Sequence, residues 1–168
     1  PIIFLLKSLV IKFRRKTYGR LLDRNARMVW TTSQVSDAVG PADNVRNYLE
    51  RQTLRAILKD LTAKYPIRSA CEVGCGYGRI IMVLKEFAER VVGFEREGYL
   101  VNIAKELLPA IEFRQVGSLD QISKIEAKPF DFVMTCTVLQ HLTDDLCKKV
   151  LEEMKVLASG GHILLIEK

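Results

Sequence analysis

The sequence has few cysteines, and none of them form a C-x-x-C pair. The four in 168 residues are Cys71, Cys75, Cys136 and Cys147. An iron–sulfur cluster needs at least three clustered thiolates, whereas Cys71 and Cys75 supply two and no third follows nearby. We therefore expect reduced, buried thiols, no metal site and no radical iron–sulfur chemistry.

Long apolar runs are also absent. Near the start, the apolar stretch from Ile2 to Leu6 is soon interrupted by Lys7 and Lys12. It is far shorter than the roughly 20 residues that a helix needs to span a bilayer. A signal peptide would carry its basic residues before the apolar run, whereas here they follow it. These features predict a cytoplasmic protein.

Acidic side chains are scarce in residues 1–30. Asp23 is the one acid there, against eight basic residues: Lys7, Lys12, Arg14, Arg15, Lys16, Arg20, Arg24 and Arg27. This segment carries a charge of +7 in a chain whose net charge is +6. One interpretation is an arm that makes weak contact with an anionic surface such as lipid, nucleic acid or a partner. The other, which we favour, is an amphipathic helix whose charged side is simply solvated.

The most informative segment is 71–78, which reads Cys-Glu-Val-Gly-Cys-Gly-Tyr-Gly. An apolar stretch leads into it from Ile67, and an apolar-periodic stretch from Ile80 to Ala88 follows it, so the pattern predicts a strand, a tight turn and a helix. Glycines in such a turn tolerate positive φ and let a ligand approach bare backbone. The following helix begins with free N–H groups beside that ligand. The segment therefore predicts a ligand-binding turn.

A second short apolar run, Val91 to Glu95, ends in an acid. In a βαβ unit, an acid at this position is placed to bond ribose hydroxyls. The dinucleotide fingerprint G-x-G-x-x-G is not matched, because its last glycine would fall at Arg79 or Ile81. The sequence also has no Tyr-x-x-x-Lys pair. A nicotinamide-dependent oxidoreductase is therefore disfavoured, and another nucleoside cofactor is indicated.

Strand-like and helix-like segments alternate along the rest of the chain, which predicts an α/β, doubly wound, mostly parallel sheet. Thr143 is the expected start of the last helix, and Gly160-Gly161 its expected stop. The predicted strands are 67–73, 91–95, 111–116, 130–136 and 161–167. The predicted helices are 78–89, 98–108, a short one near 119–127, and 143–158, preceded by N-terminal helices over 3–29 and from Asp43 or Asn44 to about Lys64.

The E-x-G-x-G-x-G pattern from Glu72 to Gly78 resembles motif I of the class I S-adenosylmethionine-dependent methyltransferases. The resemblance runs from about Ile67 to Lys168, and it includes Glu95 and the stretch 130–142, which is similar to the family's fourth strand and the loop after it. It implies a Rossmann-like core over 65–168 with strand order 3-2-1-4-5. Residues 1–64 are then a helical arm or lid, because segments before motif I often form a lid in this family.

The family's sheet has seven strands in the order 3-2-1-4-5-7-6, whereas this sequence stops on the fifth. The implied core is therefore truncated after strand 161–167, which would be an edge with unpaired backbone groups. We expect either self-association through that edge or marginal stability. We also expect part of the acceptor pocket to be missing, because the family often uses its late region for substrate contacts.

The resemblance also implies a cofactor site for S-adenosyl-L-methionine. The residues expected to face its methionine moiety are Glu72 and the glycines Gly74, Gly76 and Gly78. Glu95 is expected to hold the ribose hydroxyls, and Arg96 to flank the adenine. The remaining expected contacts are Ser118 and Leu119 near the adenine amine, and Thr135, Cys136 and Thr137 beneath the methionine portion. Simpler interpretations stay open: the glycines serve only a turn, Glu95 is a surface acid, and the threonines merely end a strand.

His141 is the one titratable group near the catalytic loop with a pKa suited to base work. It is the candidate catalytic residue, for an acceptor that must lose a proton. An equally open interpretation is that His141 caps the loop before Thr143.

Two sequence features are missing from the loop after strand 130–136, and their absence narrows the range of expected acceptor molecules. DNA amino-methyltransferases of this fold carry an Asn- or Asp-Pro-Pro-aromatic sequence there, which holds a flipped base, and protein arginine methyltransferases carry paired glutamates. Neither feature is present in 135–140. We expect a small-molecule or lipid-like acceptor and no specific nucleic acid. The rival interpretation is a partial or inactive S-adenosylmethionine-binding module that works only with a partner or within a longer chain.

Overall fold

Five parallel strands form one sheet at the centre of the described residues. The structure is a computed structural model, and it describes residues 44–167. The strands are β1 (Ser69–Val73), β2 (Arg90–Glu95), β3 (Glu112–Gln115), β4 (Phe132–Cys136) and β5 (His162–Ile166). They pair in the order β3-β2-β1-β4-β5, so the expected fold class and strand order are confirmed. The expected helices over 3–29 and the basic arm, residues 1–30, lie outside the described residues.

Strand β1 lies between β2 and β4 and is parallel to both. Its residue Glu72 is opposite Gly93 of β2 and Met134 of β4. The chain proceeds from β1 towards one edge of the sheet and later returns to build the other edge from β4. Ligands of doubly wound sheets bind at such a reversal, beside the carboxyl ends of the strands. The topology therefore brings the ends of β1, β2 and β4 together at one crevice.

Helices cover both faces of the sheet. On one face, α1 (Asn44–Thr62), α2 (Ile81–Leu84) and α3 (Gly98–Leu107) contribute to one apolar core that also contains Phe132 and Met134 of β4. On the other face, α4 (Asp144–Leu157) and a 3₁₀ turn (Ile122–Lys124) contribute to a second apolar core that contains Val133. Because successive side chains of a strand point to opposite faces, β4 is buried on both sides. An apolar run without polar alternation predicts such burial.

Helix α4 begins and ends where its sequence predicts. The Thr143 hydroxyl accepts a hydrogen bond from the Leu146 amide at 3.4 Å, and the acids Asp144 and Asp145 occupy the first turn. Acids are favoured there because the helix dipole is positive at its N-terminus. After the helix, Gly160 has φ of +85°, which a non-glycine residue rarely adopts. Local sequence signals thus determine both ends of this helix.

Two predicted helices are shorter in the structure. The helix expected over 78–89 is only Ile81–Leu84, because the amides of Glu86 and Phe87 bond three residues back at 3.1 and 3.0 Å, in tighter turns of the 3₁₀ type. The chain must tighten there because β2 begins directly afterwards, at Arg90. The helix expected near 119–127 is the single 3₁₀ turn 122–124. Another such turn, Leu139–His141, was not predicted.

Residues 44–167 contain no helix long and apolar enough to cross a membrane. The longest one described, α1, has 19 residues and includes the charged side chains Arg51, Arg55 and Lys59. The expected cytoplasmic location stays a prediction.

Candidate functional site

The turn after β1 contains three glycines with positive φ, but their surroundings differ. A Cβ at Gly74 would lie 2.5 Å from Val138 Cγ2, and one at Gly78 would lie 2.6 Å from Leu108 Cδ1. These two positions need glycine because side chains pack closely against them. At Gly76, with φ of +55°, a Cβ would meet nothing within 4 Å. Gly76 is therefore the position where backbone borders open space that a ligand can fill.

Glu95 connects the end of β2 to this turn. Its Oε2 accepts a hydrogen bond from the Gly76 amide at 2.9 Å, and its Oε1 accepts from the amides of Arg96 (2.7 Å) and Glu97 (2.9 Å). The side chain is 8% exposed. A carboxylate oxygen can accept two hydrogen bonds, so Oε2 keeps capacity for a further donor. The guanidinium of Arg96 is paired with Glu97 at 2.6 Å.

Glu72 is a strongly perturbed acid beside the glycine turn. Its side chain is 2% exposed, and its Oε2 has no hydrogen-bond partner among the described residues. The other oxygen accepts from the Ile81 amide at the start of α2. Burial raises the pKa of Glu72 from 4.5 to about 8, against the opposing charge of Arg79 and with the added repulsion of Glu95. A buried, unpaired oxygen beside a ligand-accessible turn fits a donor supplied by the ligand.

Arg79 is a site residue that sequence reasoning missed. It is 6% exposed, and its Nη1 donates to Asn47 Oδ1 at 2.9 Å and to the carboxylate of Glu50, both on α1. Burial alone would lower the pKa of Arg79, but the hydrogen bond and charge of Glu50 raise it. Its Nη2 also lies 3.8 Å from Cys136 Sγ. Arg79 thus attaches α1 to the glycine turn; the signal in the sequence is an arginine between the last glycine and the apolar stretch that begins at Ile80.

The three residues expected beneath the methionine portion do not share one face. By strand alternation, Cys136 lies on the same face as Met134, within the core that also contains Cys75 of the glycine turn. Its burial raises the pKa of the thiol to about 12. Thr135 points to the opposite face and is fully buried, and its hydroxyl has no partner among residues 44–167. Thr137 follows the strand, outside the sheet.

Thr137 has an unusual backbone conformation. Its φ of +58° makes it the one non-glycine residue with positive φ in the described part of the chain. Such a residue costs of order 1–3 kcal/mol and is held in place by its surroundings, often at a functional site. Here its amide donates to the Ile166 carbonyl at 2.7 Å.

The loop after β3 contains a further acid. The hydroxyl of Ser118 is hydrogen-bonded to the carboxylate of Asp120, which sequence reasoning did not include. Leu119 is 8% exposed and belongs to the core on the α4 face. Adjacent Gly117 has open space where a side chain would project. The loop therefore presents backbone and a Ser118–Asp120 pair, with Leu119 as a core residue.

His141 ends the 3₁₀ turn Leu139–His141. Its Nε2 lies 3.0 Å from the side-chain nitrogen of Gln140, and its amide donates to the Val138 carbonyl. Because Val138 packs against Gly74, this turn lies next to the glycine turn. The arrangement places His141 in the loop beside the candidate site. Its role as a base stays a prediction, as do the individual cofactor contacts.

Residues 71–165, more than half of the chain, match a protein family described as "Methyltransferase domain". The chain belongs to this family. The expected methyltransferase family is thereby confirmed, and S-adenosylmethionine is the cofactor that this membership supports. The match begins just before Glu72 and ends within β5, so the methyltransferase domain includes the whole sheet except the first residues of β1 and the last of β5.

One curated relative of this methyltransferase domain is an uncharacterized 37.1 kDa protein encoded in transposon Tn4556 of Streptomyces fradiae. It is 28% identical over 141 residues, which are 80% of this chain and 40% of that protein. The chain thus spans less than half the length of this relative.

Two solved methyltransferases share the fold. The sugar N-methyltransferase KedS8 from a Streptoalloteichus species has a TM-score of 0.67 at 19% identity, over 85% of this chain and 58% of that one. CalS10, an amino pentose methyltransferase from Micromonospora echinaspora solved with S-adenosylmethionine bound, has a TM-score of 0.61 at 17% identity, over 85% and 59%. The chain spans less than two thirds of either structure. At these identities, the likeness shows the fold.

Proposed function

We propose that this chain is an S-adenosylmethionine-dependent methyltransferase that acts on a small-molecule acceptor. The observation that carries the proposal is the arrangement of Glu72, Gly76 and Glu95. The Gly76 backbone borders open space and bonds the buried Glu95 carboxylate, and the buried carboxylate of Glu72, four positions earlier in the chain, has an oxygen without a partner among the described residues. A nucleoside with a charged amine at one end and a ribose diol in the middle matches these three features.

Each carboxylate has its own role in this proposal. The free Oε2 of Glu72 would accept a hydrogen bond from the ammonium of the methionine moiety, because a buried acid gains most from a cationic partner. Glu95 would accept from ribose hydroxyls through the remaining capacity of Oε2. Its three bonds to backbone amides hold the carboxylate in place before the ligand arrives, which lowers the entropic cost of binding.

The cofactor supplies a methyl group on a sulfonium, which is already a good leaving group. The chain's own residues then have to orient the acceptor and exclude water. An amine or thiol acceptor needs no base. A hydroxyl or carbon acceptor must lose a proton, and His141 would accept it at a ring nitrogen.

A small-molecule acceptor is supported by what the loop after β4 contains. Residues 135–140 carry neither a proline pair with an aromatic residue nor paired glutamates, so the loop has no platform for a flipped base. KedS8 and CalS10, which share the fold, are described as sugar and amino pentose methyltransferases. A lipid-like acceptor, contact of residues 1–30 with an anionic surface, and self-association through β5 stay predictions.

Calorimetry with S-adenosylmethionine, S-adenosylhomocysteine and NAD tests the proposal. We expect micromolar affinity for the first two and none for NAD. Gly76→Val should abolish binding, because the side chain fills the ligand's space. Gly160→Val is the matched control, since Gly160 also has positive φ and open space around a Cβ, so the backbone strain is similar.

The outcomes separate the two interpretations of the chain. Binding of NAD alone, or of none of the three, would refute the proposal. Binding of S-adenosylmethionine without methyl transfer to any of a panel of amines, thiols and alcohols would instead favour the module that works only with a partner or a longer chain.

A further inference from the structure

The last described residue, Glu167, makes contacts that neither the sequence motifs nor the proposed cofactor site explains. Its Oε1 accepts a hydrogen bond from the Val138 amide at 3.2 Å, and its Oε2 accepts from the Gln140 amide at 3.3 Å. The Leu139 amide also bonds this carboxylate. One carboxylate therefore binds three successive amides of the loop that follows β4.

A fourth amide of the same loop is held by the neighbouring residue. The Thr137 amide donates to the Ile166 carbonyl at 2.7 Å, so residues 166 and 167 together accept from every amide between 137 and 140. Thr137 has φ of +58°, a conformation that persists only where surrounding contacts enforce it. The end of β5 thus determines the path of the loop after β4.

This loop contacts the glycine turn directly. Val138 packs so closely on Gly74 that a Cβ there would lie 2.5 Å from Val138 Cγ2. The Gly74 amide in turn donates to the Phe94 carbonyl at 2.8 Å, next to Glu95. A chain of contacts therefore runs from Glu167 through Val138 to the backbone that borders the cofactor space.

We propose that Glu167 is a positioning residue of the methyl-transfer site, which holds the loop 137–141 against Gly74 and thereby maintains the cofactor-binding conformation of the glycine turn. The proposal rests on the proposed function, because the glycine turn is the cofactor site only there. Glu167 touches neither cofactor nor acceptor in this proposal, and it acts through Val138.

Glu167→Gln is the sharpest perturbation. One carboxylate oxygen accepts from the Val138 amide and the other from the Gln140 amide. In the glutamine variant, one of these two N–H donors must therefore face the side-chain NH₂ group, which is itself a donor. The variant keeps the size of the side chain and loses half of its acceptors. Val138→Ala is the second variant, since it removes the contact with Gly74 and leaves the hydrogen bonds of the loop in place.

Asp131→Ala is the matched control. The Asp131 carboxylate also accepts from two successive amides, Arg68 at 2.9 Å and Ser69 at 2.8 Å. It lies at the amino end of the same sheet, away from the glycine turn. Its loss removes comparable carboxylate–amide bonds without affecting the loop 137–141.

The experiment measures S-adenosylhomocysteine affinity by calorimetry and the Tm of the full chain and its variants. We expect about tenfold weaker binding in Glu167→Gln, equivalent to about 1.4 kcal/mol, and a smaller loss in Val138→Ala. The double variant should lose less than the product of the two, because both act through one contact. Asp131→Ala should lower the Tm and change the affinity less than twofold.

The results distinguish this inference from the proposed function. If the unaltered chain does not bind S-adenosylhomocysteine, the cofactor site itself is refuted. If it binds, and Glu167→Gln binds equally well, only the role of Glu167 is refuted. The role of Glu167 would also be refuted if Asp131→Ala and Glu167→Gln lost affinity in the same proportion to their loss of Tm. Weaker binding would then be a consequence of lower overall stability. Should Glu167→Gln not fold, unchanged affinity in Val138→Ala is the refuting result.

Discussion

Glu72→Gln should stabilise the cofactor-free protein, although it alters the proposed site. Glu72 is 2% exposed, and burial raises its pKa from 4.5 to about 8. At pH 7 the unfolded chain carries this carboxylate ionised, whereas the folded chain holds it mostly protonated. That difference costs the folded state about 3 kcal/mol at pH 7. Glutamine stays neutral in both states, and its oxygen can still accept from the Ile81 amide.

The sign of the pH dependence follows from the raised pKa. The stability that protonated Glu72 contributes is complete below pH 4.5, and it is lost as the pH rises through about 8. The difference in unfolding free energy between Glu72→Gln and the unaltered chain should therefore grow by about 1.4 kcal/mol per pH unit between about pH 5 and pH 8, then level off. Urea unfolding without cofactor, followed by circular dichroism across this range, measures it.

A suitable control is Glu152→Gln, because Glu152 is 69% exposed and paired only with Lys155 on the surface of α4. It should show no pH-dependent difference. Parallel stability curves for Glu72→Gln and the unaltered chain would show that Glu72 ionises normally, and the reasoning from its burial would be wrong. Glu72→Gln should also bind S-adenosylhomocysteine at least about tenfold more weakly, since a glutamine side chain cannot ionise to become a charged acceptor for the ammonium of the ligand.

Three further predictions concern the site and the basic arm. Glu95→Ala should weaken S-adenosylhomocysteine binding by roughly 1–3 kcal/mol in calorimetry; unchanged affinity would remove Glu95 from the site. His141→Ala should slow transfer to a hydroxyl or carbon acceptor about 10²-fold or more and leave an amine or thiol acceptor largely unaffected; a small loss with a hydroxyl acceptor would make His141 structural. Deleting residues 1–29 should weaken cofactor binding if they form a lid, whereas loss of a salt-sensitive interaction with anionic vesicles, with cofactor binding intact, would show a membrane arm.

Features that depend on neighbouring residues were predicted well. The cap at Thr143 and the strand that precedes Gly74 depend on residues within a few positions, so a reading of the sequence places them correctly. The length of α2 was overestimated because the return to the sheet at Arg90 overrides the apolar periodicity of 80–88. Here the tertiary structure outweighs a local preference.

Contacts between distant parts of the chain could not be predicted. Arg79 and Glu50 are 29 positions apart, as are Val138 and Glu167. Neither pairing follows from a motif, because each depends on how α1 and β5 pack beside the glycine turn. The face of the sheet to which Thr135 points depends on how β4 is aligned with its neighbouring strands, and the sequence alone does not reveal that alignment. Sequence thus indicated the cofactor class, and packing determined which side chains surround the candidate site.

The central position of β1 has a consequence for the order in which the molecule can fold during synthesis. Strand β1 pairs with β4, whose residues follow about sixty positions later; Cys71 is opposite Val133. Until β4 has left the ribosome, one edge of β1 is unpaired and Gly74 lacks its contact with Val138. The cofactor crevice therefore forms only after β4 has been made, and S-adenosylmethionine cannot assist the earlier steps of folding. A nascent chain that ends before residue 138 should expose β1 to chaperones and to other strands.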